Sequence, residues 1–204
     1  MTIKGCLVLY NPQNDVLSNI NTYIDSLTEL YVFDNSLQPN QQLIKNIQNI
    51  EKVKYYTQGI NLGIAAALNY CIDKCMNSDT DWILTMDQDS FFKNSEIEEI
   101  IDFAYNQNSK IALVCPFHQT YQNETYVNEI EYPLTVMTSG NLIRTDWIKK
   151  IGTFETKLFI DYVDHEFCLR IHTFGGKIIQ YCKITAQLRR HKYCKNFIKN
   201  GILY

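Results

Sequence analysis

The sequence predicts an α/β fold: a single domain built on a mostly parallel, Rossmann-like sheet with helices on its faces. Three observations predict it. Short, continuously apolar runs alternate with stretches whose apolar residues recur at every third or fourth position. Within the runs apolar and polar residues do not alternate, which marks strands covered on both faces. Each run also stops at a polar cluster, as a chain does when it turns from a strand into a crossover helix.

The elements follow in order. Cys6 to Tyr10 is the first buried strand. Asn11-Pro12 then reads as an N-cap with proline in the first helical turn, and Val16, Ile20, Tyr23/Ile24 and Leu27 supply the inward stripe. Leu30 to Phe33 is a second strand ending at Asp34-Asn35-Ser36; Leu43, Ile44, Ile47 and Ile50 mark a helix, and Val53 to Thr57 a third strand. Asn61 is placed to cap a helix whose stripe is Ile64, Leu68, Cys71/Ile72 and Cys75. Trp82 to Met86 is the fourth strand, stopping at Asp87-Gln88-Asp89-Ser90. Ser95-Glu96-Ile97-Glu98 has the form of a capping box before Ile97, Ile100, Ile101 and Ala104, and Ile111 to Cys115 is a fifth strand.

Past Pro116 the rhythm changes. Residues 117–132 are polar and tyrosine-rich, and read as a loop or irregular hairpin. Leu134 to Thr138 reads as a strand, Ser139-Gly140-Asn141 as a turn, and Trp147 to Ile151 as a short helix ended by Gly152. Asp164 to Phe174 is a helix closed by Gly175-Gly176, and Lys177 to Cys182 a last strand. The expected division is a nucleotide-binding half over 1–115, a catalytic half over 116–182 and a basic tail over 183–204.

Composition narrows the function classes. Hydrophobic residues at 46% and charged residues at 20% describe a globular chain, and a net charge of −3 provides no broad basic field for nucleic acid. The 7 cysteines are odd in number and show no zinc-ligand spacing, so they read as buried apolar groups in a reducing cytosol. Neither a signal peptide nor a membrane span is visible, so a cytoplasmic protein is expected. The basic residues from Arg189 to Lys199 offer a peripheral contact with an anionic membrane at its inner face.

Ligands in open α/β sheets bind beyond the carboxyl ends of the strands. Asp87 and Asp89 lie two apart at such an end, where extended chain turns both to one side. Two hard carboxylates suit Mg²⁺ or Mn²⁺, which leave positions open for substrate phosphates; a pair of solvated turn aspartates is the plain alternative. No Gly-rich dinucleotide fingerprint, P-loop or nucleophile elbow is present, so phosphate charge must be met by metal and side chains. Asp161, Asp164 and Glu166 form a second acidic group, with Arg170 four residues beyond Glu166. Asp164 serves either as a helix cap that complements the dipole or as a base for a substrate hydroxyl.

Six blocks in order resemble family 2 glycosyltransferases of the GT-A fold, most closely the bacterial rhamnosyltransferase branch. They are Leu9 to Pro12, Val32 to Ser36, Asn61 to Asn69, Leu84 to Ser90, Thr138 to Asn141 and Phe159 to Arg170. The resemblance implies that Tyr10 and Asn11 line the nucleobase pocket, that Asp34 binds the base or ribose, and that Asn61 and Gly63 shape the nucleotide wall. It implies Asp89 as the direct metal ligand, Asp87 nearer the ribose, and Asp164 as the catalytic base, with Gly140, Asp161 and Glu166 beside the acceptor. Val163 stands where the family more often has a second carboxylate before the base. His191 is either a third metal ligand or an exposed histidine of the tail, and Tyr121, Tyr126 and Tyr132 either stack on sugars or only decorate a loop.

The implied reaction is an inverting, metal-dependent transfer of a sugar, rhamnose first. It would run from a nucleoside-diphosphate donor (dTDP-rhamnose or a UDP-sugar) to a glycan or lipid-linked glycan of a surface polysaccharide. Relatives run further at the C-terminus, so the donor side is expected complete and the acceptor side short. The competing expectations are a catalytically silent nucleotide-sugar or glycan-binding module, and a sugar nucleotidyltransferase. The latter would need a Gly-rich basic loop after the first strand, where Asn11-Pro12-Gln13 stands.

Overall fold

The computed structural model describes residues 1–118 and 127–188. Among these residues nine strands form one sheet in the order β3-β2-β1-β4-β8-β6-β9-β5, with β7 paired on β9. In chain order these are β1 (Ile3–Leu9), β2 (Glu29–Asp34), β3 (Val53–Thr57), β4 (Trp82–Asp87), β5 (Ser90–Phe91), β6 (Ile111–His118), β7 (Ile130–Glu131), β8 (Asn141–Arg144) and β9 (Lys177–Leu188). The helices are α1 (Asp15–Ile20), α2 (Gln41–Gln48), α3 (Ile64–Met76), α4 (Glu96–Tyr105), α5 (Thr145–Ile151) and α6 (Val163–Thr173).

The first four strands in sequence are parallel, as the apolar runs predict. Beyond β4 the sheet is mixed: β8 lies antiparallel between β4 and β6, and β9 returns parallel to β6. Alternate residues feed two cores. Ile3, Leu7 and Leu9 of β1 face α1, α2 and α4, while Cys6 faces α3. This is why the strands are apolar throughout: helices cover both faces, so neither face can be polar. In β6 the adjacent Ala112 and Leu113 share one core, and the register with β9 shifts at that point.

Several local expectations are corrected. Asn11 caps no helix: it sits at φ 47 and donates its N–H to Ser36 Oγ at 2.7 Å, and α1 starts later, at Asp15. The stripe expected to run to Leu27 breaks at Ile20, and Ile24 begins a separate 3₁₀ turn. Ser95 caps α4 without a side-chain bond; Glu96 instead accepts the N–H of Lys93 at 2.7 Å, so no capping box forms. Leu134 to Thr138 is not a strand, whereas the next segment, Asn141–Arg144, is β8. β6 continues through Pro116 to His118, the proline sitting beside a register shift where a missing N–H is tolerated. β9 runs on from Cys182 to Leu188. Among the described residues six cysteines are free and buried. Among the described residues no helix is long and apolar enough to cross a membrane.

Candidate active site

The chain builds β2 and β3 on one side of β1 and then crosses to lay β4 on the other. That reversal of direction opens a crevice at the carboxyl ends of β1 and β4, where no crossover fills the space. A cavity of about 430 Å³ occupies it, lined by Val8 to Tyr10, Asn35, Asn61, Gly63, Ile64, Asp87 to Asp89 and Ile160. A larger polar hollow of about 610 Å³ lies at the other end of β4, around Asp79, Asp81 and Lys149. It is away from the strand carboxyl ends and from every residue singled out above.

The wall on the β2 side is pinned by asparagines. Asn35, buried at the end of β2, donates from Nδ2 to Gly63 O at 3.1 Å and accepts the Leu62 N–H on Oδ1 at 3.1 Å. Asn61 is not the helix cap; its Oδ1 accepts the Gly63 N–H at 2.9 Å, and Gly63 itself caps α3 at φ 82. Asp34 stands one layer back, 1% exposed, its oxygens taken by the Ser36 N–H at 2.8 Å and the Tyr55 hydroxyl at 2.7 Å. Burial and the Asp34 carboxylate push the Tyr55 hydroxyl well above its usual range. Tyr10 is exposed at the cavity; Asn11 follows it with its backbone N–H on Ser36 Oγ and is not part of the cavity lining.

The charges of Asp89 and Asp164 both bear on Asp87, although 77 positions separate Asp87 from Asp164. Burial, then the charges of Asp89 and Asp164, push the Asp87 carboxyl up to about 7. The carboxylate still borders the open cavity, so solvent tempers that effect. The Asp87 N–H donates to Ser139 Oγ at 3.2 Å, and the Ser139 carbonyl accepts from His118 Nε2 at 2.5 Å. A carbonyl only accepts, so the His118 proton sits on Nε2. Burial outweighs the Ser139 and Asp164 contributions and lowers the His118 pKa.

The helix carrying Asp164 begins differently from expectation. Tyr162, at φ 65, is the N-cap, and Asp164 is the second residue of α6. Its Oδ1 accepts from the His165 N–H and ring Nδ1, both at 2.8 Å. Phe159, Ile160, Asp161 and Tyr162 are exposed ahead of it, and Ile160 reaches the cavity. Glu166 is held by Arg170 at 2.8 and 2.6 Å, the i,i+4 pair its spacing predicts. Gly140 occupies a turn at φ 78, its N–H on Thr85 O at 2.7 Å, and a β-carbon there would lie 2.9 Å from Pro116 Cγ.

The structure thus gathers Tyr10, Asn61, Gly63, Asp87 and Asp89 around one cavity and brings Asp164 within electrostatic reach. Sequence reading assigned no role to Asn35, Gln88, Ile160 or His118. Tyr132 packs under Lys177; His191, Tyr121 and Tyr126 lie outside the described residues. Among the described residues no group of three or more His, Cys, Asp or Glu converges as a ready metal site.

The glycosyl transferase family 2 profile matches residues 6–172. The chain belongs to that family. Among curated relatives, the dTDP-rhamnosyl transferase RfbF of Shigella flexneri is 28% identical over 95% of this chain and 78% of its own. The β-1,4-mannosyltransferase egh of Drosophila melanogaster is 30% identical over 57% of this chain and 26% of its own. Two solved structures share the fold of this family 2 glycosyltransferase. GalNAc-T7 with UDP, GalNAc and Mn²⁺ has a TM-score of 0.73 at 11% identity, covering 92% of this chain and 44% of that one. Staphylococcus aureus TarS 1-349 with UDP-GlcNAc has a TM-score of 0.70 at 14% identity, covering 100% and 62%. The family 2 chain therefore spans under two thirds of either solved chain, and its architecture is that of the GT-A glycosyltransferases.

Proposed function

We propose that this domain transfers a sugar, rhamnose first, from a nucleoside-diphosphate donor to a hydroxyl of a glycan or lipid-linked glycan, with inversion at the anomeric carbon. One arrangement carries the reading: Asp87 and Asp89 line the cavity of the switch point, and Asp164, from the other half of the chain, lies near enough for its charge to bear on Asp87. Support for the donor comes from RfbF, named a dTDP-rhamnosyl transferase, and from solved neighbours bound to UDP and UDP-GlcNAc. In this reading residues 1–115 hold the donor, and residues 116–182 carry the base and the acceptor side.

The donor set fits Mg²⁺ or Mn²⁺. Two hard carboxylates, Asp89 and Asp87, meet at the cavity, the kind of oxygen donors that such an ion takes. A divalent ion there would offset the charge gathering on the departing diphosphate.

The chain's own groups do the rest. Tyr10 offers its ring face to the nucleobase, while Asn61 and Gly63, fixed by Asn35, close the opposite wall. Asp34 supports that wall from behind. Asp164, its Oδ1 engaged by His165, offers Oδ2 to the acceptor hydroxyl and takes its proton as the oxygen attacks. Asp161 stands beside it at the acceptor side. Glu166, bound to Arg170, contributes by fixing α6, and Gly140 by shaping the turn that carries Ser139.

The test is Asp164→Asn, which keeps the shape and removes the base. Binding of dTDP with Mn²⁺ is expected unchanged while transfer falls by roughly 10² to 10⁴. Undiminished transfer by this variant would remove Asp164 from the role.

A further inference from the structure

We propose that Gln88 is a positioning residue that locks the Tyr10 wall of the donor pocket to the Asp87–Asp89 carboxylates; the proposal rests on the donor-site reading above. The backbone ladder between β1 and β4 ends at the pair Val8 and Asp87. Past that rung the two strand ends would part, one bearing Tyr10 and the other the aspartates. Gln88 continues the ladder with its side chain. Its Oε1 accepts the Tyr10 N–H at 2.9 Å and its Nε2 donates to the Tyr10 carbonyl at 3.2 Å. The carboxamide thus offers one acceptor and one donor to one residue, as a neighbouring strand would.

A second tie holds Gln88 itself. Its carbonyl accepts from Asn19 Nδ2 at 2.9 Å, and Asn19 is 1% exposed on α1. The residue between the two aspartates is therefore fixed from below and grips Tyr10 from the side. Gln88 borders the cavity, but both polar atoms of its amide are spent on Tyr10. Its effect on a nucleotide runs through the placement of the tyrosine ring. Glutamate would lose the donor and methionine both bonds, and asparagine is one methylene short. Glutamine alone among these fills the rung.

Calorimetric titration of dTDP and of UDP, each with Mn²⁺, tests this by a double-mutant cycle. Gln88→Met is expected to weaken the better-bound nucleotide about tenfold, since two modest hydrogen bonds are lost. Tyr10→Ala keeps the backbone that Gln88 grips but removes the ring. In that background Gln88→Met is expected to cost nothing further, because residues acting through one contact are not additive. Gln88→Asn, which preserves polarity, is expected to show the same masking with a smaller loss. Losses that add across the cycle, or an unchanged affinity in Gln88→Met, overturn the proposal. A wild-type protein that binds neither nucleotide overturns the donor-site reading and this proposal with it.

Discussion

The backbone N–H of Ile64 donates to the carbonyl of Phe159 at 2.8 Å, so the start of α3 carries the loop that leads to Asp164. This bond joins the wall of the cavity to the chain ahead of the base. Gly63 makes the approach feasible: its φ is 82, and a β-carbon there would lie 2.7 Å from both Phe159 O and Phe159 Cδ2. Gly63→Ala is therefore expected to lose about 1–3 kcal/mol from the strained φ alone, with the Phe159 loop pushed outward. Transfer should fall more than stability. Equal kcat in the variant, measured well below its midpoint, would show that the loop is not coupled to the wall.

The Glu166–Arg170 pair spans one turn of α6. Arg170 spends its guanidinium on both Glu166 oxygens and on Ile151 O at 2.7 Å, over the Phe167 ring. Arg170→Met is expected to cost about 1–2 kcal/mol, the lower figure reflecting partial solvent screening of the pair. Thermal unfolding checks the loss, and nucleotide affinity should not move.

The chemistry was more legible than the geometry that serves it. Asp87 and Asp89 announce themselves because charge ending an apolar run has few structural uses, and the stripe of α3 is readable because one whole face is buried. Asn11-Pro12 misleads for the opposite reason: its local signal is a helix start, but Ser36, 25 positions on, claims the Asn11 N–H. Gln88 and Asn35 fall inside the blocks that carry the resemblance, but their roles are not readable there, because their partners are main-chain groups 78 and 28 positions away. A side chain bound to backbone imposes no residue type on its partner, so no motif records it. Asn141–Arg144 hides as a strand because it is short and polar at both ends, and is recognisable only between β4 and β6.

Stability should depend on pH through Lys4 and Glu29. Lys4 is 5% exposed and meets Glu29 at 2.7 Å and Ser78 Oγ at 2.7 Å. The Lys4 hydrogen bond, helped by Tyr31 and opposed by burial, holds the Glu29 carboxyl below its usual range. A depressed pKa means that the folded state binds this proton less readily than the unfolded chain. The contribution is thus complete above the ordinary value of about 4.3 and is lost as pH falls through the lower folded value. Glu29→Gln is expected to lower the melting midpoint at pH 7, by roughly 1–3 kcal/mol in stability, since Lys4 is left buried without its partner. As pH falls from about 4.3 through the lower folded value, the two proteins should converge. A gap that persists there would place the cost in packing rather than charge.

Asn35 offers a sharper division between donor and acceptor. Asn35→Asp keeps the acceptor for the Leu62 N–H but sets a carboxylate against the Gly63 carbonyl, now 3.1 Å from a donating amide. The wall formed by residues 61–63 must retreat, and a negative charge enters the cavity where the donor diphosphate is proposed to bind. Both effects oppose an anionic nucleotide. Loss of one buried hydrogen bond costs about 1–3 kcal/mol, which corresponds to roughly a fivefold to hundredfold weaker donor affinity if it is felt at the wall. The chemical step should suffer less than donor affinity, because Asn35→Asp leaves in place the Ile64 N–H bond to the Phe159 carbonyl, which ties α3 to the loop ahead of Asp164. The expected signature is a raised KM for the donor with kcat largely retained at saturation. A fall in kcat at unchanged KM would instead place Asn35 on the path that aligns the base.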